Sequence, residues 1–101
     1  MFCSGQIPID PGTGDVVPGG VVEQTEQVMK NLKAVLEAAG CAFDAVVKTT
    51  IFLTDLHDFG RVNETYAKFF PGQPPARATV QVAELPKGVR VEIEAIAYLG
   101  A

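Results

Sequence analysis

The spacing of apolar residues predicts two amphipathic helices. Between residues 21 and 39 the apolar side chains recur at steps of three and four, which places them on one stripe of a helix. Gly40 follows at the position where many helices end in a left-handed residue. A second helix is predicted over residues 59–70, because Val62 and Tyr66 fall at helical spacing within it.

Four further segments have the composition or the alternation of β-strands. Residues 2–9 are partly apolar and contain Gly5, which indicates a bulge or a close approach by another group. Residues 46–54 are rich in β-branched side chains. Residues 77–83 and 89–98 complete the set, and the last segment alternates between apolar and polar positions. The short connector between these two segments predicts an antiparallel hairpin.

This order of elements predicts an α+β fold in a single domain of residues 1–101. One mixed β-sheet with two helices packed on one face is the simplest arrangement that buries both helical stripes. The other face of the sheet would carry Ile96 and several threonine and valine side chains. Because such a face is commonly covered by further copies of the same chain, we expect a homo-oligomer.

Composition and charge exclude several classes of function. The net charge of −4 and a pI of about 4.8 argue against a nucleic-acid partner, since proteins that bind nucleic acids neutralise phosphates with clustered lysine and arginine side chains. No apolar run approaches the roughly 20 residues that span a bilayer, and the N-terminus does not read as a signal peptide. We therefore expect no membrane partner and a cytoplasmic location.

Cys3 and Cys41 have no metal-ligand spacing, and His57 is expected to be an exposed loop histidine, so no metal site is predicted.

Arg77 has an unusual position for a charged residue. It begins an otherwise apolar strand, one residue after the rigid pair 74–75, which is Pro-Pro. Arginine is the side chain best suited to bidentate binding of a carboxylate. In the predicted hairpin Glu92, Glu94 or both would reach the same side as Arg77. The alternative is an ordinary cross-strand ion pair, worth about 0–1 kcal/mol if it is exposed.

Several motifs in series resemble those of the RidA/YjgF family. They cover essentially the whole chain in order and are SGQIPIDP at residues 4–11, NLKAVLEAAG at 31–40, VKTTIFL at 47–53, VNETY at 62–66, PARATV at 75–80, LPKG at 85–88 and VEIEAIA at 91–97. The resemblance implies a chorismate-mutase-like fold of the Bacillus type and a homotrimer with ligand clefts between subunits. It also implies 2-iminobutanoate/2-iminopropanoate deaminase activity, in which reactive enamine/imine intermediates are hydrolysed to 2-oxo acids and ammonia without a cofactor.

The resemblance also assigns roles to individual residues. It implies that Arg77 binds the substrate carboxylate and that Glu92 positions or activates the attacking water. Asn63 matches an asparagine that lines the cleft, and Gly5 matches a glycine whose backbone lies beside the ligand. Thr79 lies within the variation of the family and would offer a hydroxyl group near the ligand. These roles agree with general chemistry, because a protonated imine is already electrophilic and needs only a positioned water and one carboxylate.

Two other functions stay open at this point. A non-catalytic trimeric binder of 2-oxo acids or small carboxylates, with a regulatory role, would also use Arg77, and the Glu92→Gln variant would separate the two hypotheses. Some relatives are described as ribonucleases or translation inhibitors, but the negative net charge of this chain argues against that role here. Members of the family usually carry a further strand before the position of Met1, together with an aromatic residue that contacts the ligand. We therefore expect an unpaired edge along residues 2–9.

Overall fold

The structure, a computed structural model, describes residues 1–100. It contains one four-stranded mixed sheet, two α-helices and three single turns of 3₁₀-helix. The α-helices and strands in chain order are β1 (Phe2–Gln6), α1 (Val21–Ala38), β2 (Val46–Leu53), α2 (Phe59–Ala67), β3 (Ala76–Gln81) and β4 (Val91–Ala97). The predicted α+β class and the predicted order of elements are confirmed.

The strands lie in the order β1-β4-β2-β3, which contradicts the predicted hairpin. β3 runs parallel to β2, while β4 lies between β1 and β2 and is antiparallel to both. The physical reason lies in the α2 helix, because a helical crossover between two strands lets them pair in parallel. Residues 82–90 then carry the chain past β2 to its other side, so β3 and β4 are never neighbours.

Both helices pack on the same face of the sheet, which we call the helix face. The predicted stripe of α1 is fully buried at Val28, Leu32 and Leu36. These side chains share one hydrophobic core with residues of the sheet that include Ile51 and Ile93. Fully burying a side chain of this size contributes roughly 1.5–3 kcal/mol, so the stripe is the main reason that α1 docks on the sheet.

The opposite side of the sheet, which we call the open face, carries exposed apolar groups. Phe2 has 84% of its surface exposed and Val80 has 41%. Side chains alternate between the two faces along each strand. In β2 the buried Thr49 and Ile51 point to the helix face, and Phe52 points to the open face. The homo-oligomer expected from this face stays a prediction.

β1 lies at one edge of the sheet, and it is shorter than predicted. Its pairing with β4 shifts register between Cys3 and Gln6, which confirms the irregularity expected at Gly5. The segment that follows β1 is held against α1 by side-chain hydrogen bonds and does not continue the strand. The Asn31 side-chain amide donates hydrogen bonds to two backbone carbonyl oxygens of residues 7 and 9, at 3.2 and 2.9 Å.

Within residues 1–100, no α-helix combines the length and the hydropathy that a membrane span requires. The same residues hold no cluster of histidine, cysteine and carboxylate side chains that would bind a metal ion. Cys3 is buried, Cys41 is partly buried, and both are free thiols.

Candidate functional site

Arg77 lies at the start of β3, on the helix face of the sheet. Its backbone is in register with Thr49 of β2, and paired residues on neighbouring strands share a face. The guanidinium group therefore lies beside α2, where Nη1 donates a hydrogen bond to the side-chain oxygen of Asn63. Arg77 is exposed despite this contact. The structure thus brings together two of the predicted site residues, from two separate elements.

Two aromatic rings hold the same guanidinium group. Its central carbon lies 5.2 Å from the ring centroid of Phe59 and 5.4 Å from that of Tyr66. With Asn63, these residues stand at positions i, i+4 and i+7 of α2, which places them on one side of the helix. Sequence reasoning missed both aromatic contacts, although this spacing was the signal that could have found them.

The N–H groups of Arg77 remain largely free. Among residues 1–100, the hydrogen bond to Asn63 is the only polar contact of the guanidinium group, and no carboxylate forms an ion pair with it. An arginine has five N–H donors in a planar fork that matches the two oxygens of a carboxylate. The group is therefore held in place while its capacity for bidentate binding is preserved.

Tyr66 connects this arrangement to the sheet. Its ring is buried, and its hydroxyl group forms a 2.7 Å hydrogen bond with the hydroxyl of Thr49, in which either oxygen can be the donor. Burial raises the pKa of the Tyr66 phenol, while the hydrogen bond to Thr49 and the charge of Arg77 act in the opposite direction. The ring beside Arg77 therefore stays neutral at physiological pH.

A cavity of about 400 Å³ opens next to Arg77. Apolar side chains from the end of α2 and from the proline pair form most of its wall, and the polar groups come from Arg77 and Asn63. The lining residues are Asn63, Tyr66, Ala67, Phe70, Gly72, Pro74, Pro75 and Arg77. A few directed polar groups within an apolar wall are typical of a site for a small molecule.

Thr79 lies two residues beyond Arg77 on the same face of β3, in register with Ile51. Its hydroxyl oxygen is buried and has no hydrogen-bond partner among the described residues. A buried hydroxyl group without a partner is uncommon, because leaving it unpaired costs about 1–3 kcal/mol. The hydroxyl oxygen is closed to solvent and Thr79 is not among the residues that line the cavity, so its role beside a ligand stays a prediction.

Glu92 occupies the open face, on the other side of the sheet. It is in register with Phe52 of β2, three residues from Thr49, so Glu92 and Arg77 project from opposite faces. The expectation that Glu92 or Glu94 reaches the side of Arg77 within one chain is therefore wrong. The error follows from the predicted hairpin, since β2 separates the two strands and sets their relative registers.

Glu92 instead lies directly against Gly5 of β1. A Cβ atom built on Gly5 would stand 2.8 Å from the Glu92 carboxylate carbon and would overlap Oε2. Only a glycine leaves room for the carboxylate in this place. The structure therefore joins the predicted site residues in two groups, which we call the arginine half (Arg77, Asn63 and Thr79) and the glutamate half (Glu92 and Gly5).

His57 belongs to neither half. Its side chain is 97% exposed, and its ring Nδ1 lies 2.8 Å from Asp55 Oδ1, as befits the exposed loop histidine that the sequence predicts. The His57 backbone N–H also donates to this carboxylate at 2.9 Å. That backbone hydrogen bond is the main reason that the pKa of Asp55 lies below its usual value, with the His57 side chain second.

Comparison with known proteins gives one consistent result. Residues 1–99 match the family described as Endoribonuclease L-PSP. The protein DfrA of Myxococcus xanthus is 65% identical over 96 residues, which are 95% of this chain and 73% of DfrA. The 2-iminobutanoate/2-iminopropanoate deaminase of Mus musculus is 58% identical over 100 residues, which are 99% of this chain and 74% of the mouse protein. The crystal structure of the YjgF gene product from E. coli superimposes with a TM-score of 0.92 at 50% identity, over 98% of this chain and 80% of that one.

Proposed function

The chain belongs to the RidA/YjgF family, also described as Endoribonuclease L-PSP, and we propose that it is a deaminase that hydrolyses 2-iminobutanoate and 2-iminopropanoate. Relatives that are 53–58% identical over nearly the whole chain carry this name. The observation in the structure that best supports the activity is the arginine half. A substrate of this class has one carboxylate, and Arg77 presents free N–H groups to receive it.

We propose that Arg77 binds the substrate carboxylate and that the small alkyl group lies against the apolar wall of the cavity. Asn63 would keep one N–H of Arg77 occupied and so fix the direction of the remaining ones. The Thr79 hydroxyl group would donate or accept one further hydrogen bond. Held in this way, the substrate has its carboxylate and alkyl group bound, and the carbon of its C=N group (C2) is the atom that reacts.

Glu92 would position the attacking water. The protonated imine and one water molecule first form a carbinolamine, as the water oxygen bonds to C2 and its proton passes to the Glu92 carboxylate. The proton then moves to the amino nitrogen. The C–N bond breaks as the hydroxyl oxygen forms the C=O bond and gives up its own proton, which the departing ammonia takes up, so the 2-oxo acid and an ammonium ion leave. General-base assistance of this kind contributes typically about 10²–10⁴-fold to a rate.

A complete site would require two copies of the chain. The arginine half and the glutamate half lie on opposite faces of one sheet, so no movement of side chains within one copy can join them. The exposed apolar groups of the open face are suited to contact with another copy. The homotrimer, the cytoplasmic location and the absence of nucleic-acid and membrane partners stay predictions.

The activity can be tested by coupling this protein to a threonine dehydratase and following 2-oxobutanoate release while semicarbazide competes for the imine. Wild type should accelerate the release, and Arg77→Ala and Glu92→Gln should not. The Glu92→Gln variant should still bind 2-oxobutanoate, because the arginine half is intact. If folded wild-type protein binds 2-oxobutanoate but does not accelerate the release, the deaminase proposal is refuted and the non-catalytic binder replaces it.

The two-copy site can be tested by complementation. The two inactive variants are mixed in equal amounts, unfolded together and refolded. About a quarter of the wild-type activity should return, because each site takes Arg77 from one copy and Glu92 from the next, and half of the copies carry each intact residue. A mixture that stays inactive, although it assembles like wild type, would show that one copy supplies both residues.

A further inference from the structure

We propose that Tyr66 is a positioning residue for Arg77, and that together with Thr49 and Phe59 it sets the affinity of the site for carboxylates. The inference rests on the proposed function for its substrate, but its geometry does not depend on turnover. Tyr66 would not touch the reacting atoms. It would act through the guanidinium group that does bind the substrate.

The environment of Arg77 holds the guanidinium group but does not neutralise its charge. Two ring centroids lie 5.2 and 5.4 Å from its central carbon, and a neutral amide accepts one of its N–H groups. An aromatic face attracts a cation through its quadrupole without taking up an N–H donor. A carboxylate in the same place would also hold the arginine, but it would compete with the ligand.

The two rings beside Arg77 differ in how firmly they are fixed. Tyr66 is 3% exposed, and its hydroxyl group is fastened to Thr49 in the central strand β2. Phe59 is 37% exposed and lies in the first turn of α2. The Tyr66 ring is therefore the fixed side of the arginine site, and Phe59 is the side that faces solvent.

Thr49 connects α2 to the sheet at the level of Arg77. Thr49 is the residue of β2 that pairs with Arg77 in the parallel register. The Thr49 hydroxyl group therefore anchors the Tyr66 ring to the strand position beside the arginine. Removing either hydroxyl group alone would leave the other one buried without a partner.

The experiment compares Tyr66→Leu, which removes the ring, with Tyr66→Phe, which keeps it. The first readout is the NMR spectrum of the Arg77 side chain, whose δ-protons should be shifted upfield by the ring currents. The second is the dissociation constant of 2-oxobutanoate, measured by calorimetry. The third is the split between KM and kcat for 2-iminobutanoate in the coupled assay.

We expect Tyr66→Leu to remove most of the upfield shift of Arg77. It should also weaken 2-oxobutanoate binding and raise KM by about five- to tenfold, in line with the loss of one cation–π contact. The kcat should change little, because the carboxylate is held in the ground state and the transition state alike. Tyr66→Phe keeps the ring but loses the hydrogen bond to Thr49, so it should keep most of the upfield shift of Arg77 and weaken 2-oxobutanoate binding less than Tyr66→Leu does.

Val62→Ala is the matched control, because Val62 lies in the same helix, is fully buried and has no contact with Arg77 among the aromatic and polar contacts described. It removes core packing, so its melting temperature should fall, while its Arg77 spectrum and its KM should not change. The double variant Thr49→Val with Tyr66→Phe should regain part of the stability that Tyr66→Phe loses, because no unpaired hydroxyl group remains.

An Arg77 spectrum without upfield shifts in wild type, or one that Tyr66→Leu leaves unchanged, would overturn the inference. So would equal weakening of 2-oxobutanoate binding by Tyr66→Leu and Val62→Ala, since Tyr66 would then act through packing alone. These outcomes are separate from a failure of the deaminase proposal. If wild type has no turnover, the NMR readout still decides the role of Tyr66.

Discussion

Replacing Gly5 by alanine perturbs the glutamate half with one methyl group. The backbone at Gly5 does not have a positive φ angle, so an alanine can adopt it without strain. The new Cβ would stand 2.8 Å from Cδ and 3.1 Å from Cγ of Glu92, whereas ordinary contacts begin at 3.4 Å. The side chain must therefore move its carboxylate carbon outward by roughly half an ångström or more.

This displacement should affect activity strongly and stability weakly. A misplacement of about 1 Å can cost about 10²-fold in rate, so we expect the turnover of 2-iminobutanoate to fall by about 10- to 100-fold. The group that moves is the far end of a flexible side chain, and the sheet need not shift. Replacing a glycine in a compatible conformation adds about 0.4–1 kcal/mol by restricting the unfolded chain, which offsets the cost of the contact.

The coupled 2-oxobutanoate assay measures the loss, and urea unfolding measures the stability. The control is Gly60→Ala, because a Cβ atom at Gly60 meets nothing within 4 Å and should leave the activity unchanged. The double variant Gly5→Ala with Glu92→Gln should be no slower than Glu92→Gln alone, since both changes act on the same carboxylate. Full activity in folded Gly5→Ala protein would refute the reasoning, because the position of Glu92 would then not matter.

Three further predictions concern the rest of the chain. Asn31→Leu should lower the free energy of unfolding by about 1–3 kcal/mol in urea, because the carbonyl group of residue 9 loses its side-chain donor and that of residue 7 keeps only the N–H of residue 9; an unchanged midpoint would show that these hydrogen bonds are dispensable. The pKa of Asp55, followed by carbon NMR, should lie below its ordinary value and stay mostly depressed in His57→Ala, since the backbone N–H is the main cause. The contribution of the Asp55 carboxylate charge to folding stability is then present above the pKa of the unfolded state, and it is lost as the pH falls through the lower pKa of the folded state. A return to the ordinary pKa in His57→Ala would contradict the assignment. Burial raises the pKa of the Cys3 thiol, so iodoacetamide should alkylate the more accessible Cys41 first, and equal rates in a peptide map would speak against this.

The helices and the composition of the strands could be predicted from the sequence, because both depend on local periodicity. The stripe of α1 and the left-handed Gly40, with φ of 82°, lie where the spacing of residues places them. The strand order could not be read from local pattern, since a short connector favours a hairpin whatever else the sheet contains. The overlooked signal was the helix between β2 and β3, which is typical of a parallel crossover.

The candidate site shows the same division between local and global information. The residue types were enough to single out Arg77, because an arginine after two prolines in an apolar strand is uncommon. Its relation to Glu92 depends on two registers, Thr49 with Arg77 and Phe52 with Glu92, which no local pattern specifies. Since a shift of one residue moves a side chain to the other face, an error in topology became an error in the site.

Placing the two halves on opposite faces has a chemical consequence. An arginine and a glutamate in contact within one chain would form an ion pair, and the substrate would have to break it before binding. Here the sheet separates them, so the arginine keeps free donors and Glu92 lacks an arginine or lysine partner among the described residues. In the proposed two-copy site, the protonated imine carries its carboxylate toward Arg77 and its positive C=N group toward Glu92. The substrate would then pair its negative group with the arginine of one copy and its positive group with the glutamate of the other. This arrangement favours binding of a small zwitterion over a simple carboxylate.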